Sequence, residues 1–185
     1  MESRTGPFFI RMSQSLEGTV KNVFAGAVTD SLNFLTIKPK SEESISLGFT
    51  VAENKVYPDA ISEKIMFDLV NKERMSQHLK PLEEDENLRV VARKYGKQLF
   101  KYGFFSHVSQ VDGSTALERA SREGIIFQII GENLAYAPDV YLAHQGLMNS
   151  KGHRENILSP DYERVGIGVV DAGVYGRIFV QVFTD

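Results

Sequence analysis

Four histidines, at positions 78, 107, 144 and 153, and a complete lack of cysteine limit the chemistry open to this chain. Without thiolates neither a disulfide nor a Cys-ligated metal site can form, so a metal would have to be held by imidazole, carboxylate or water. His78 lies in the polar break "MSQHLKP" and reads as a surface residue. His144 follows Ala143 on an apolar helical pattern, where a histidine more often completes a core or its rim than binds a ligand. The other two stand in polar stretches, "FFSHVS" and "SKGHRENIL", which read as a loop and a small turn. Glu132, in "IGENLAY", follows an apolar run; desolvation there raises a carboxyl pKa unless a cation or donors hold it ionised. Each residue also has a purely structural reading. His107 can bond a loop carbonyl, Glu132 can cap backbone amides, and Arg154 can pair with Glu155 or another acid.

Other chemistries find no support. The chain has no phosphate-cradling GxxxxGK[ST], no HExxH, no GxSxG and no EF-hand ladder. "GIGVVDAG" lacks the strand, turn and helix context of a dinucleotide loop. A formal charge of -3, with acids and bases interspersed, provides no basic stripe for nucleic acid.

The elements that must position these residues are legible from about Asp59 onward. Ser62 is placed to cap a helix whose Ile65, Met66, Leu69 and Val70 form one apolar face, ending at "HLKPL". After "EEDEN", Leu88, Val91, Ala92, Tyr95, Leu99 and Tyr102 recur at helical spacing until Gly103. Thr115 and Glu118 fit a capping box opening a short helix that stops at Gly124, and "IIFQII" reads as a buried strand. Pro138 and Asp139 suit the first turn of a helix with Val140, Ala143, Leu147 and Met148 inward. "RVGIGVVDAGVYGRIFVQVFTD" contains two β-branched runs around a Gly-containing turn, an antiparallel hairpin by pattern. Helices first and strands mostly last predict an α+β domain with helices on an antiparallel sheet.

The first 58 residues differ in character. Leu16, Val20, Val23 and Phe24 are spaced for an amphipathic helix, and "TIKPKSEESISLGFTVAENKVYPD" reads as an extended linker with a short strand around Ile45 to Val51. The expected organisation is therefore a helix and linker over 1–58 and a domain over 59–185. With 185 residues, 42% of them hydrophobic, one sizeable core is expected. No run of about 18 apolar residues is present, and "MESRTGPFFIRM" lacks the longer apolar stretch of a secretion signal. The soluble part of a longer exported protein is compatible with this pattern.

Taken in order, "FFSHVS", "GENLAYAP", "LMNSKGHRENILSPDYERVGIGVV" and "RIFVQVFTD" resemble the CAP superfamily, also described as SCP-like or pathogenesis-related-1-like domains, in its cysteine-free bacterial branch. "LVNKERMSQHLKPLEEDENLRVVARKYG" resembles the opening of the same domain, so the similarity covers about residues 60–185. The resemblance implies an α-β-α sandwich with a central antiparallel sheet and an open cleft. It also implies a cleft tetrad of two histidines and two acids, matched here by His107, His153 and Glu132. Ser150 stands where plant and animal relatives often carry the second acid. Asn133, Ser150 and Arg154 are placed around the trio as supporting cleft residues. Residues 1 to about 40 resemble the end of a colicin V production-type membrane region, which implies a membrane tether in the full-length protein and an extracellular or cell-surface location.

Two neutral imidazoles can hold Zn²⁺ or another borderline divalent cation at about 2.0–2.1 Å, with a nearby carboxylate orienting a ring N–H or a bound water. Two protein ligands hold a metal weakly, and protonation of unperturbed imidazoles near pH ~6.5 releases it. The expected function is a binding module recognising an envelope component, a peptide or a small apolar ligand. The alternatives are a metal-assisted hydrolase with Glu132 as general base, and a structural envelope domain with a vestigial cleft. Hydrolysis also needs a stabiliser for developing negative charge, and Ser150 cannot replace a lost carboxylate base, so binding is preferred to catalysis.

Overall fold

The computed structural model describes residues 34–185. The amphipathic helix expected around Leu16 to Phe24 lies outside the described residues, as does most of the stretch resembling the membrane region.

The long helices form where the spacing placed them. Helix α1 (Ala60–Ser76) buries Met66 and Val70, and its cap is Asp59 rather than Ser62. The Asp59 carboxylate accepts from the Ser62 amide at 3.0 Å and from the Ser62 hydroxyl at 2.7 Å, so the helix begins earlier than the cap reading placed it. Helix α2 (Glu86–Tyr102) buries Leu88, Val91, Ala92, Tyr95 and Leu99. Tyr102 departs from that series and is exposed, because the helix ends there on Gly103, whose φ of 70° is left-handed. Three shorter helices follow: α3 (Ala116–Arg122), α4 (Val140–Asn149) and α5 (Lys151–Ile157). The stretch "SKGHRENIL", read as a turn, is thus mostly helical.

Among the described residues the main sheet has six strands. The long ones are β6 (Ile130–Ala137), β7 (Arg164–Asp171) and β8 (Arg177–Thr184), with β8 central and antiparallel to both neighbours. Two-residue strands complete it: β1 (Leu35–Thr36) on the free edge of β6, β3 (Tyr57–Pro58) antiparallel to β7, and β4 (Glu83–Glu84) parallel to β7. The segment "IIFQII" is not a buried strand over most of its length. Pairing begins only at Ile130, opposite Thr184 at the end of β8, while the Asp185 carboxylate takes the amides of Gln128 and Ile129 and Ile126 is 89% exposed. The strand proper is the more polar-looking "IGENLAYA".

Helices cover both sheet faces. Val165, Ile167 and Val169 of β7, with Phe179 and Phe183 of β8, face α1 and α4 in one apolar cluster. On the opposite face α2 lies so close to β7 that a methyl at Gly166 or Gly168 would run into its backbone. An α-β-α sandwich with an antiparallel core results.

Residues 34–58, read as a linker, are packed into the same compact unit, with Ile37, Ile45, Leu47, Val51 and Val56 buried. Strand β2 (Ser44–Ser46) pairs with β5 (Phe104–Ser106), and the amides of Leu47 and Val51 bond the carbonyls of Gly103 and Phe100. The chain is extended as expected, but it has an apolar residue at each inward position and lies along the domain instead of leaving it.

A buried cation ties the far side together. Arg74 is 1% exposed and donates to the carbonyls of Lys80, Ile157, Ser159 and Tyr162 at 2.9, 3.0, 2.7 and 3.2 Å. Arg74→Ala leaves these carbonyls unmatched around a cavity, and urea unfolding followed by circular dichroism should show a loss of about 3–5 kcal/mol.

Candidate functional site

Strand pleating places the adjacent residues Glu132 and Asn133 on opposite faces of β6, and this alternation brings two different layers to one edge. On the α2 side, the Glu132 carboxylate faces His107 Nδ1 at 2.9 Å and accepts from Arg119 of α3 at 2.6 Å. On the other side, Asn133 donates to the carbonyl of His153 at 3.1 Å and to Gln181 at 2.9 Å. Asn156 donates to both, reaching the Glu132 carbonyl at 3.3 Å and the Asn133 side-chain oxygen at 2.9 Å.

The structure brings His107 and His153 together. Their Nε2 atoms lie 3.0 and 2.7 Å from the same atom, the carbonyl oxygen of Ile37. That oxygen has two lone pairs and can accept from both rings. Ser150 Oγ sits 2.7 Å from His153 Nδ1, so a hydroxyl bonds the ring nitrogen where an acid was expected. A neutral His153 satisfies both contacts, accepting from the hydroxyl and donating to Ile37. Burial, helped by the neighbouring His107, pushes the His153 pKa down to about 4 despite the favourable Ile37 bond. His107 differs, since both of its partners are acceptors. Both contacts are hydrogen bonds only when both ring nitrogens carry protons.

Glu132 is almost completely buried. Burial raises its pKa, but the Arg119 charge and the His107 contact outweigh that and hold it below the ordinary carboxylate range. Arg119 also bonds the Ser114 carbonyl at 2.7 Å and stacks its guanidinium 3.3 Å from the centre of the Tyr95 ring. Tyr95 in turn donates to the Ser106 carbonyl at 2.6 Å, fixing the strand that leads into His107. Arg119 was not foreseen; its signal was the Thr115/Glu118 capping box, which forms, with Glu118 accepting from the Thr115 amide at 2.8 Å. That box sets the phase of α3 and turns Arg119 and Ala120 inward.

Arg154 donates to the Met148 carbonyl at 2.7 Å and thereby braces the α4–α5 junction. It lies outside the shell that touches the imidazoles. Glu155 instead stands 3.8 Å from Lys151, one turn earlier on α5. His78 is exposed, and His144 is a rim residue 3.5 Å from Glu73. Beside His107 and Glu132 a cleft of about 280 Å³ opens, bounded by Pro39 to Glu42 on one side and by Leu117, Ile130 and Asn156 on the other.

A family model described as the cysteine-rich secretory protein family matches residues 67–183, more than half of the chain. The chain belongs to this family. The chain is 36% identical over 131 residues to the uncharacterized protein YkwD of Bacillus subtilis, covering 68% of this chain and 49% of that protein. It is 37% identical over 121 residues to the uncharacterized membrane protein YlbC of the same organism, covering 65% and 34%. The chain thus spans about half the length of one of these relatives and a third of the other. Among solved structures, an extracellular protein containing an SCP domain from Bacillus anthracis is similar at a TM-score of 0.60 and 34% identity, over 66% of this chain and 40% of that one. The sandwich described above is the fold of this cysteine-rich secretory protein domain, formed here without a cysteine.

The depressed His153 pKa has a defined consequence for stability. The unfolded chain binds a proton near pH ~6.5 that the folded chain refuses until about pH 4, so stability is full above 6.5 and falls as the pH drops through that window. In metal-free buffer, denaturant titrations at pH 7.5 and 5 should differ by about 2 kcal/mol from this group. The difference should shrink in His153→Gln.

Proposed function

We propose that this domain is a binding module of an extracellular or cell-surface protein, whose cleft takes its ligand beside a weak divalent-cation site formed by His107 and His153. The observation that carries the reading is the convergence of the two Nε2 atoms on one point, at 3.0 and 2.7 Å, with His107 also lining the cleft. Two imidazoles meeting at a point are a donor set suited to Zn²⁺ or a similar borderline cation. The cation and the Ile37 carbonyl compete for that point, because the separations are those of direct hydrogen bonds and leave no room for an ion between.

Glu132 supports such a site from outside it. Both its oxygens are engaged, one facing His107 and one receiving Arg119. It orients the His107 ring and supplies negative charge nearby. The same arrangement weakens the hydrolase reading, since a carboxylate held ionised by a buried guanidinium is a poor proton acceptor at neutral pH. The cleft wall, with Leu117, Ile130 and Ala116 beside Asn156 and Glu132, suits a ligand with an apolar body and a hydrogen-bonding end. An envelope component, a peptide or a small apolar molecule meets that description. The extracellular description of the Bacillus anthracis protein and the membrane description of YlbC support a location outside the cell, with a tether in the longer protein.

Calorimetric titration with Zn²⁺ tests the site. Binding is expected to be weak at pH 7.5, to fade at lower pH, and to disappear in His107→Ala and in His153→Ala; affinities equal to the parent's in both variants would sink the reading. Ser150→Glu places an acceptor on His153 Nδ1 and frees the Nε2 lone pair. Affinity should then rise about 10- to 100-fold, the range over which such outer partners act.

A further inference from the structure

The Ile37 carbonyl belongs to a segment that fills the groove as a bound peptide would. Leu35 and Thr36 add to the edge of β6 antiparallel, opposite Tyr136 and Ala135. Beyond them the backbone continues toward Ile130, the Ile37 side chain is 1% exposed, and its carbonyl is gripped from both layers. The fit is built on small residues at both ends. The Phe34 ring lies against Gly146 of α4 where any side chain would collide, and Pro39 lies over Gly152 of α5, 3.1 Å from where a methyl would stand. After Lys38 the segment turns out, with the Ser41 amide bonding the Lys38 carbonyl and Lys40 at a φ of 63°.

Its backbone pairing, by contrast, is short. Its ladder is two residues long on an eight-residue strand, and Lys40 adopts a conformation that costs a non-glycine residue free energy. Main-chain pairing to an exposed edge, with one pocket for an aliphatic side chain, is the geometry of peptide recognition by strand addition.

We propose that the β6 edge with its two imidazoles is a binding groove for an extended polypeptide strand of a partner, and that residues 34–40 are its intramolecular occupant, displaced when the partner binds. This rests on the binding reading above for the pair of imidazoles but places the ligand along the β6 edge, where its carbonyl and a cation compete for the same point. The incoming strand runs antiparallel to β6, sets an aliphatic residue in the Ile37 pocket, and offers that residue's carbonyl to His107 and His153. The covalently attached segment competes at high effective concentration, so the groove of the parent protein is largely closed.

The test uses the full chain and the synthetic peptide FLTIKPKS, which copies residues 34–41. Ile37→Asp puts a charge in the apolar pocket and should release the segment, seen as rapid hydrogen exchange of its amides with α2 still protected. This variant should bind the peptide about tenfold or more tightly than the parent does, by fluorescence anisotropy. The peptide carrying the same Ile-to-Asp change should not bind, and bound peptide should restore exchange protection along β6. A released segment with no peptide binding, or equal binding by parent and variant, overturns the proposal. If Ile37→Asp does not fold, Phe34→Ala, which removes only the ring over Gly146, decides by the same criteria. Zinc titrations alongside separate the two readings: peptide binding without zinc binding removes the cation site alone, and zinc binding without peptide binding removes the strand groove alone.

Discussion

Glu132 puts an ionised carboxylate on the outermost long strand of the sheet, almost out of contact with water. Such a charge is tolerated only with a cation and donors beside it. Arg119 and His107 supply them, and the rest of the cleft follows from holding those two side chains in place. Arg119 requires α3 to lie against β6 and takes its second support from the Tyr95 ring on α2. His107 requires the end of β5 to be fixed, which Tyr95 also does through the Ser106 carbonyl. One carboxylate thereby registers a strand, two helices and a loop against each other.

The second imidazole arrives by an independent route. His153 is carried by α5, whose position depends on Asn133 and Asn156 on one side and on the Arg74 contact to Ile157 on the other. Because Glu132 and Asn133 are neighbours on one pleated strand, the two histidines are set from opposite faces of the sheet. A main-chain carbonyl is well suited to the gap between them, since it can accept from both and adds no bulk of its own.

The sequence carried most of this where a side chain repeats or caps. The Leu88 to Leu99 series placed α2, the first β-branched run of the hairpin pattern placed β7, and the Thr115/Glu118 pair placed α3. It was silent where function passes through the backbone. Ile37 contributes a carbonyl, which has no residue signature, and Leu35–Thr36 is too short a strand to show alternation. Gly152 made "SKGHRENIL" look like a turn, though Lys151 and Glu155 stand one helical turn apart. Arg119 could not be told from Arg122 three residues later, which goes to the surface to meet Asp112; only the packing of α3 distinguishes them.

Arg74 closes the fold on the other side of the sheet with a cation whose described partners are all carbonyl dipoles. Those acceptors do not titrate, and a buried charge–dipole cluster is little screened by dissolved ions. This latch is therefore indifferent to acidity and little affected by salt, while His153, at the groove, changes its charge as the medium becomes acidic. A change in acidity therefore acts on the edge of the sheet through His153, and the Arg74 latch does not respond to it.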